Sequence, residues 1–452
     1  MTAVKVLLAT HFFPPNHPGG TEAYTLGLAL ALQRLGHSPC VICAEDWGTG
    51  DDWRARHEDT VYEGLPVRRL RWNWQLAPNP FVYLYDNPEV AGHFARYVGE
   101  IKPDVVHVTS CYTLGAGIIR AAHQAGVPVF LTLTDFWFLC PRHTLQRGDG
   151  SLCGGPQGSL RCLQCMASTA KIYRALASRL PPDLVARGLL AVSHWPWLSR
   201  QRGLRGYIGD AQARFAFLRQ TFDYVTEASA ATRYMVEVFA RNGYPAGRIR
   251  LSRYGLDVSW RSGLRPRQAD GCLRIGYIGS LAPLKGVDLL VQAFCSLSGQ
   301  VPAELKIYGG LDKDPLFTQR LRQLADGNPA VKFLGTFEKS KMGEVLSGLD
   351  LVVVPSVWYE SAPLIIADAF AAGKPVIASN LPGLSELVEP EVNGLLFTRG
   401  DVGGLADAIR RFAADPALRE RLQRGIRPVR TIEEEATEIV RRYQTAIERE
   451  RN

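Results

Sequence analysis

Two carboxylates eight residues apart, Glu360 and Asp368, lie in the segment Pro355 to Phe370, PSVWYESAPLIIADAF. It follows an apolar run, Leu351 to Val354, that reads as a buried parallel strand. Glu360 closes the loop after that strand, and Asp368 falls inside a helical pattern. Pro363 suits the first helical turn, where its missing N–H would be unpaired anyway. The free N–H groups of such a turn, with the positive end of the helix dipole, favour an anion such as a phosphate. Asp368 lies roughly one to two turns deeper, within reach of a neutral polar group of the same ligand. One phosphate-binding helix start and two spaced carboxylates suit a nucleotide-sugar site.

Strands and helices must position these groups. Strand-like runs alternate with helical patterns, which implies parallel sheets covered by helices. In the first half the strands fall at Val4–Thr10, Pro39–Ala44, Asp104–Val108, Val129–Thr134 and Phe222–Thr226. Helices fall near Thr21–Leu35, Pro88–Ile101, Gly115–Gln124 and Ala230–Asn242. After a polar stretch, Ser259–Gly271, strands resume at Leu273–Ile278, Glu304–Tyr308, Val331–Leu334, Leu351–Val354 and Pro375–Ala378. The expected fold is α/β, with two Rossmann-like domains facing across a cleft and ligands at the carboxyl ends of the strands. The expected divisions are 1–258, 259–430 and a charged last helix, 431–452, that returns to the first domain. Within the first lie a Cys-rich loop, 140–165, and a basic helical insertion, 166–222.

A length of 452 residues fits two domains, and 46% hydrophobic with 21% charged residues describes a globular chain. No apolar run reaches the roughly 18 residues of a membrane-spanning helix. The start, MTAVKVLLAT, reads as a buried strand rather than a signal peptide. That places the chain in the cytoplasm, with its nine cysteines mostly reduced.

Other loops at strand ends converge on the same chemistry. In HFFPPNHPGGTE, Gly19 and Gly20 allow close backbone approach to a ligand, and Thr21 is a candidate helix cap. A glycine pair is more often a plain turn, and no GxGxxG calls for a dinucleotide. In GSLAPLKG, Lys285 at a helix start is a candidate diphosphate clamp, although exposure to solvent is the commonest fate of lysine. Gly309 and Gly310 leave room for a ligand, and Gly335 to Phe337 border a candidate base pocket.

The loops FPPNHPGGTE, GSLAPLKG, IYGG and FLGTF, the strand DVVHV, and PSVWYESAPLIIADAFAAGKPVIASNLPGLSELVEPEVNGLLF together resemble one family. The chain is similar to retaining glycosyltransferases of the GT-B fold, glycosyltransferase family four. The resemblance implies a nucleoside diphosphate sugar donor bound mainly by the second domain and an acceptor held mainly by the first. It implies retention at the anomeric carbon and no metal required for catalysis. Carried over, Glu360 sits by the sugar or diphosphate, Asp368 accepts from ribose hydroxyls, and Lys285 neutralises diphosphate charge. The stretch Ser361, Ala362, Pro363 and Leu364 contacts the donor through its backbone N–H groups. Preorganised charge stabilises a departing diphosphate better than proton transfer alone.

The chain departs from the family at three places. Asp368 stands for glutamate, Ser280 for an arginine beside the lysine, and Thr134–Asp135 for histidine–aspartate. Ser280 can still hydrogen-bond a phosphate, and Asp135 is the candidate substitute near the reacting hydroxyl. His11 and His107, also at strand ends, read first as structural. A glycan, a lipid-linked molecule or a small molecule is the expected acceptor, a UDP sugar the expected donor, and envelope glycan synthesis the setting. The alternatives are a GT-B sugar-nucleotide epimerase and a non-catalytic nucleotide-sugar-binding subunit.

Two segments stand apart from this chemistry. Cys140, Cys153, Cys162 and Cys165 form a cluster with one CxxC pair, whose readings are structural zinc, free thiols, a disulfide or an iron–sulfur cluster. The segment Met166 to Phe222 carries nine basic residues, Lys171, Arg174, Arg179, Arg187, Arg200, Arg202, Arg205, Arg214 and Arg219, against Asp183 and Asp210. That net +7 is nearly the whole +8 of the chain. Interleaved Trp195, Trp197, Tyr207, Phe215 and Phe217 suit either an anionic membrane surface or an insertion with aromatics packed inward. No nucleic-acid motif accompanies the charge.

Overall fold

The computed structural model describes residues 3–168, 170, 173, 175, 179–193, 195, 197, 209–266 and 270–451. The chain divides into two compact units, Met1–Arg253 with Glu433–Asn452, and Tyr254–Ile432.

The first unit is built on strands β1 (Lys5–Thr10), β2 (Ser38–Asp46), β3 (Arg56–Tyr62), β4 (Leu65–Arg71), β5 (Val105–Val108), β6 (Val129–Leu133), β7 (Glu227–Ala230) and β8 (Ile249–Leu251). They lie in the order β3-β4-β2-β1-β5-β6-β7-β8. Only the β3–β4 pair is antiparallel among the described residues. β1 and β5 are buried along nearly their whole length, as apolar runs covered on both faces must be. Asn87 starts the helix Pro88–Ile101 by accepting from the N–H groups of Glu89 and Val90 at 3.1 and 3.3 Å, and Pro88 follows it in the first turn.

The C-terminal helix, Ile432–Arg451, brings Glu433 onward into this unit. Tyr443 is fully buried, and its hydroxyl stands 2.5 Å from His107 Nδ1. Tyr24 donates to Glu435 at 3.0 Å, and Arg442 pairs with Glu227.

The second unit contains β9 (Leu273–Ile278), β10 (Ala303–Tyr308), β11 (Val331–Gly335), β12 (Leu351–Val354), β13 (Val376–Ser379) and β14 (Gly394–Phe397), all parallel. Their order is β11-β10-β9-β12-β13-β14. The order reverses between β9 and β12, so the loops leaving these two strands run side by side. Ile275, Leu305, Ile307, Val353 and Ile377 form the centre of its core.

Three sequence readings are corrected. Phe222–Thr226 is not a strand: a helix spans Ala211–Phe222, and the strand begins at Glu227. Asp210 caps that helix on the N–H groups of Gln212 and Ala213 at 2.8 and 3.1 Å, and Leu218 and Phe222 bury one of its faces. Thr21 is not a cap: Gly19 holds that position, and Thr21 lies inside the helix Gly20–Arg34. Pro363 stands one residue before the helix Leu364–Ala371 rather than inside its first turn. The β3–β4 hairpin escaped the pattern reading because its residues are rich in charge. Arg68 is buried and grips Asp59 through two hydrogen bonds of 2.7 Å. β8 and β14 were also missed; each is only three or four residues long.

Candidate functional site

The reversal of strand order in the second unit brings Lys285 to Glu360. The loop after β9 ends in a short 3₁₀ turn, Pro283–Lys285, and Gly286 follows in the left-handed region at φ 65°. A Cβ there would meet the carbonyl oxygen of Pro355 at 2.0 Å, so only glycine lets this loop lie against the end of β12. Val357 N–H donates to the Leu284 carbonyl at 2.9 Å, which pins the two loops together.

Glu360 is 5% exposed, and its Oε1 accepts three hydrogen bonds. Lys285 Nζ and Ser356 Oγ each donate at 2.7 Å, and Trp358 Nε1 donates at 2.9 Å. The Lys285 ammonium also lies 5.2 Å from the Trp358 ring centroid, within cation–π range. Ser361, Ala362, Pro363 and Leu364 follow directly and lead into the helix that carries Asp368. This places one buried carboxylate, a partly exposed ammonium and a helix start side by side, on two neighbouring loops of the second unit.

Asp368 is 5% exposed and does not join this network. Its Oδ1 is buried without a close hydrogen-bond partner, and the Trp260 indole N–H lies beside the carboxyl. Burial pushes the Asp368 carboxyl up to about 7; the nearby Lys339 charge and the Trp260 indole N–H oppose that rise, and Asp257 adds to it. A carboxyl that straddles ionisation near neutrality, with an oxygen left over, can take a hydroxyl group as ligand.

Ser280 is exposed, and its carbonyl accepts from the Tyr277 hydroxyl at 2.7 Å, which fixes the loop. Gly309 has a packing reason for being glycine beside the ligand room its sequence context suggests. A Cβ there would meet the Gly279 carbonyl oxygen at 2.3 Å, so close packing of two loops requires it whether or not a ligand is near.

In the first unit, Gly19 and Gly20 begin the helix Gly20–Arg34. Their loop is anchored by a buried pair, Arg69 with Glu45 at 2.7 Å. Arg69 also donates to the carbonyls of Phe13 and Pro14, and Asn16 donates to Glu45 at 2.6 Å. His11 Nε2 lies 3.2 Å from Glu22 Oε1. Burial raises the Glu22 carboxyl, but the hydrogen bond and charge of His11 outweigh it and leave Glu22 below its ordinary value. Asp135 is half-buried, and its Oδ1 accepts from the Trp137 N–H at 2.7 Å. Thr134 Oγ1 donates to the Thr109 carbonyl at 2.8 Å. Both nitrogens of His107 are occupied, by Tyr443 and by Thr132 at 2.7 Å, and burial drives its pKa down to about 3.

The sequence reading found Glu360 and Lys285 but not Ser356 or Trp358, which complete the network. Their position directly before Glu360 was the available signal. Within 166–222, Lys171, Arg174, Arg200, Arg202, Arg205 and Tyr207 lie outside the described residues. Arg214 and Phe215 are buried at 2% and 5%, so this part of the basic run does not face solvent. Among the described residues no helix is long and apolar enough to cross a membrane, and no three His, Cys, Asp or Glu side chains are gathered to hold a metal ion.

Comparison with known proteins defines the class. The family described as "Glycosyl transferases group 1" matches residues 272–415, and the "Glycosyl transferase 4-like domain" matches residues 19–255. A glycogen synthase of Mycobacterium tuberculosis is 30% identical over 94% of this chain and 89% of its own length. A GDP-mannose-dependent alpha-mannosyltransferase of the same species is 26% identical over 89% and 85%. Sucrose-phosphate synthase of Thermosynechococcus elongatus shares the fold with a TM-score of 0.64 at 17% identity, covering 98% of this chain and 99% of that one. Anabaena HepE, solved with UDP and glucose, gives 0.63 at 17% identity over 98% and 100%. The chain therefore has the GT-B fold of two Rossmann-like domains. It belongs to the group 1 glycosyltransferases, enzymes that transfer sugars.

Proposed function

We propose that the chain is a retaining glycosyltransferase that takes its sugar from a nucleoside diphosphate sugar held by the second unit. The observation that carries this is the Lys285–Glu360 pair beside the Ser361–Leu364 helix start. Lys285 and the N–H groups of that turn meet the diphosphate, and their fixed positive charge stabilises it as it leaves. Glu360, held at Oε1, presents its other oxygen to the sugar. Asp368 accepts from the ribose. The bound ligand of HepE makes a UDP sugar the first donor to test. The acceptor is a glycan, a lipid-linked molecule or a small molecule, gathered by the first unit, where Asp135 sits near the incoming hydroxyl.

Release of nucleoside diphosphate from UDP, GDP and ADP sugars tests the reading. Turnover by the wild type that is lost in Glu360→Ala supports it. Binding without turnover favours a binding subunit, and a change of sugar configuration in the released donor favours an epimerase.

A membrane-facing acceptor has its own support. Trp195 and Trp197 are 57% and 61% exposed, and Arg179 and Arg187 of the same basic segment are exposed too. Such a face suits an anionic leaflet at the inner side of the cell membrane. Flotation with anionic vesicles at low salt is the measurement; protein that stays at the bottom removes this part.

A further inference from the structure

In the first unit, β4, β2, β1, β5 and β6 lie side by side and run parallel, so their carboxyl ends share one end of the sheet. Just past those ends stand Trp74, Trp47, His11, Tyr112 and Asp135, in that order across the sheet. The strand order turns between β1 and β5, and open α/β sheets hold ligands at such a point. His11 and Tyr112 flank it, with ring centroids 5.9 Å apart and planes at 76°. The Trp47 ring lies 5.2 Å from that of Tyr112 and 5.8 Å from that of Trp74, so rings from three strand ends form a row. All three rings are half-buried, and their N–H and O–H groups make no hydrogen bond among the described residues.

The polar groups beside this row are short of partners. His143 packs its ring against Tyr112, with centroids 4.8 Å apart. Its backbone sits at φ 51°, in the left-handed region that a residue with a Cβ seldom takes. It is held there by its own N–H on the Cys140 carbonyl at 2.8 Å and by the Phe136 N–H on its carbonyl at 3.3 Å. His11 Nδ1 and His143 Nδ1 are both buried without a hydrogen-bond partner. The Asp135 charge reaches the same place. Burial raises the Tyr112 hydroxyl and Asp135 adds to the rise, while burial lowers the His143 imidazole and Asp135 opposes the fall. A ring with an apolar CH face and a rim of hydroxyls uses both parts of this surface: the CH groups lie on the aromatic rings, and the hydroxyls meet the imidazoles and the carboxylate. An acyl chain would leave those polar groups unpaired, which is costly.

We infer that this row is an acceptor subsite and that it takes a sugar ring. Trp47, Trp74 and Tyr112 lie against the CH face of the ring, and His11, Asp135 and His143 take its hydroxyls. The role in transfer rests on the function proposed above, whereas binding of the sugar stands by itself. The acceptor is thereby a saccharide, or a molecule that carries one, rather than a bare lipid or a simple alcohol.

Saturation-transfer NMR on the full chain, with no nucleotide present, tests this with the methyl glycosides of glucose, galactose, mannose and N-acetylglucosamine as probes. At least one is expected to bind saturably below about 10 mM, with saturation strongest on the CH protons of one ring face. Trp47→Ala and Trp74→Ala are each expected to weaken that binding about 10-fold, and Trp47→Phe far less. Trp53 pairs with Tyr83 at 5.8 Å outside the row, and Trp53→Ala is expected to bind as the wild type does. The wild-type signal needs no variant to fold. Failure of the wild type to bind any of these glycosides overturns the inference. Equal affinity for cyclohexanol, which would mark a plain apolar patch, overturns it too, as does full affinity in both alanine variants. Glycoside binding without nucleotide release from any donor removes the transfer reading and leaves the subsite; release without glycoside binding removes the subsite alone.

Discussion

The indole N–H of Trp358 donates to the same Glu360 oxygen that Lys285 holds, at 2.9 Å against 2.7 Å. With Ser356 on that atom too, Oε1 is saturated, and the carboxylate is oriented by three donors from two loops. Trp358→Phe keeps the ring and removes one donor. Hydrogen bonds to charged groups contribute roughly 1.5–3 kcal/mol, so kcat/KM for the donor is expected to fall about 10-fold or more. Nucleotide release under initial-rate conditions measures it, and an unchanged rate would falsify this role for the indole.

Gly286 joins a positive φ of 65° to a Cβ position 2.0 Å from the Pro355 carbonyl oxygen. Gly286→Ala must displace one of the two loops that carry Lys285 and Glu360. A loss of about 1–3 kcal/mol in stability is expected, with weaker donor binding. Urea unfolding and calorimetric titration with the donor give the two numbers. Wild-type values in both would show that the loops move apart at no cost.

The Asp368 carboxyl is raised by burial to about 7, above its unfolded value. Its contribution to stability is therefore fully present below the unfolded value, near pH 4, and is lost as the pH rises through about 7. Asp368→Asn cannot ionise. It is expected to gain melting temperature relative to wild type on going from pH 5 to pH 8, while losing affinity for the nucleoside diphosphate. A difference in melting temperature that does not change with pH contradicts the assignment.

His107 has the opposite sign. Its neutral form is buried and its folded pKa is about 3. The unfolded chain takes up a proton near pH 6.5 that the folded chain refuses, so acidification destabilises the first unit. Between pH 8 and pH 5 the expected loss from this group is about 2 kcal/mol. Tyr443→Phe removes the hydroxyl at 2.5 Å from its Nδ1 and is expected to cost about 1–3 kcal/mol at pH 8. Denaturant titrations across this range measure both effects; equal stability of Tyr443→Phe and wild type at pH 8 would show that the contact contributes nothing.

Most strands were legible because parallel strands covered on both faces are written as short apolar runs, β1, β5 and β12 being the clearest. The β3–β4 hairpin was not legible: its charged residues satisfy one another across the strands, as Arg68 does with Asp59, and no alternation of apolar residues marks them. At the candidate site, Glu360 and Lys285 could be read because each sits in a loop motif, ESAPL and PLKG, directly after an apolar strand and before a helix. Trp358 could not, since an indole donor looks in sequence like any core aromatic. Arg214 was hidden in a run of arginines, and its burial is what distinguishes it.

The chain leaves its first unit at Arg253 and does not return until Glu433. Tyr443, which occupies His107 from the C-terminal helix, lies 336 positions further along the chain. On the ribosome, β5 thus emerges long before its helical cover exists, and the second unit can complete its own sheet first. The enzyme is finished in reverse order of synthesis. A nonsense mutation ahead of Tyr443 would strand the N-terminal sheet with an open face, and a chaperone would have most reason to hold that nascent state.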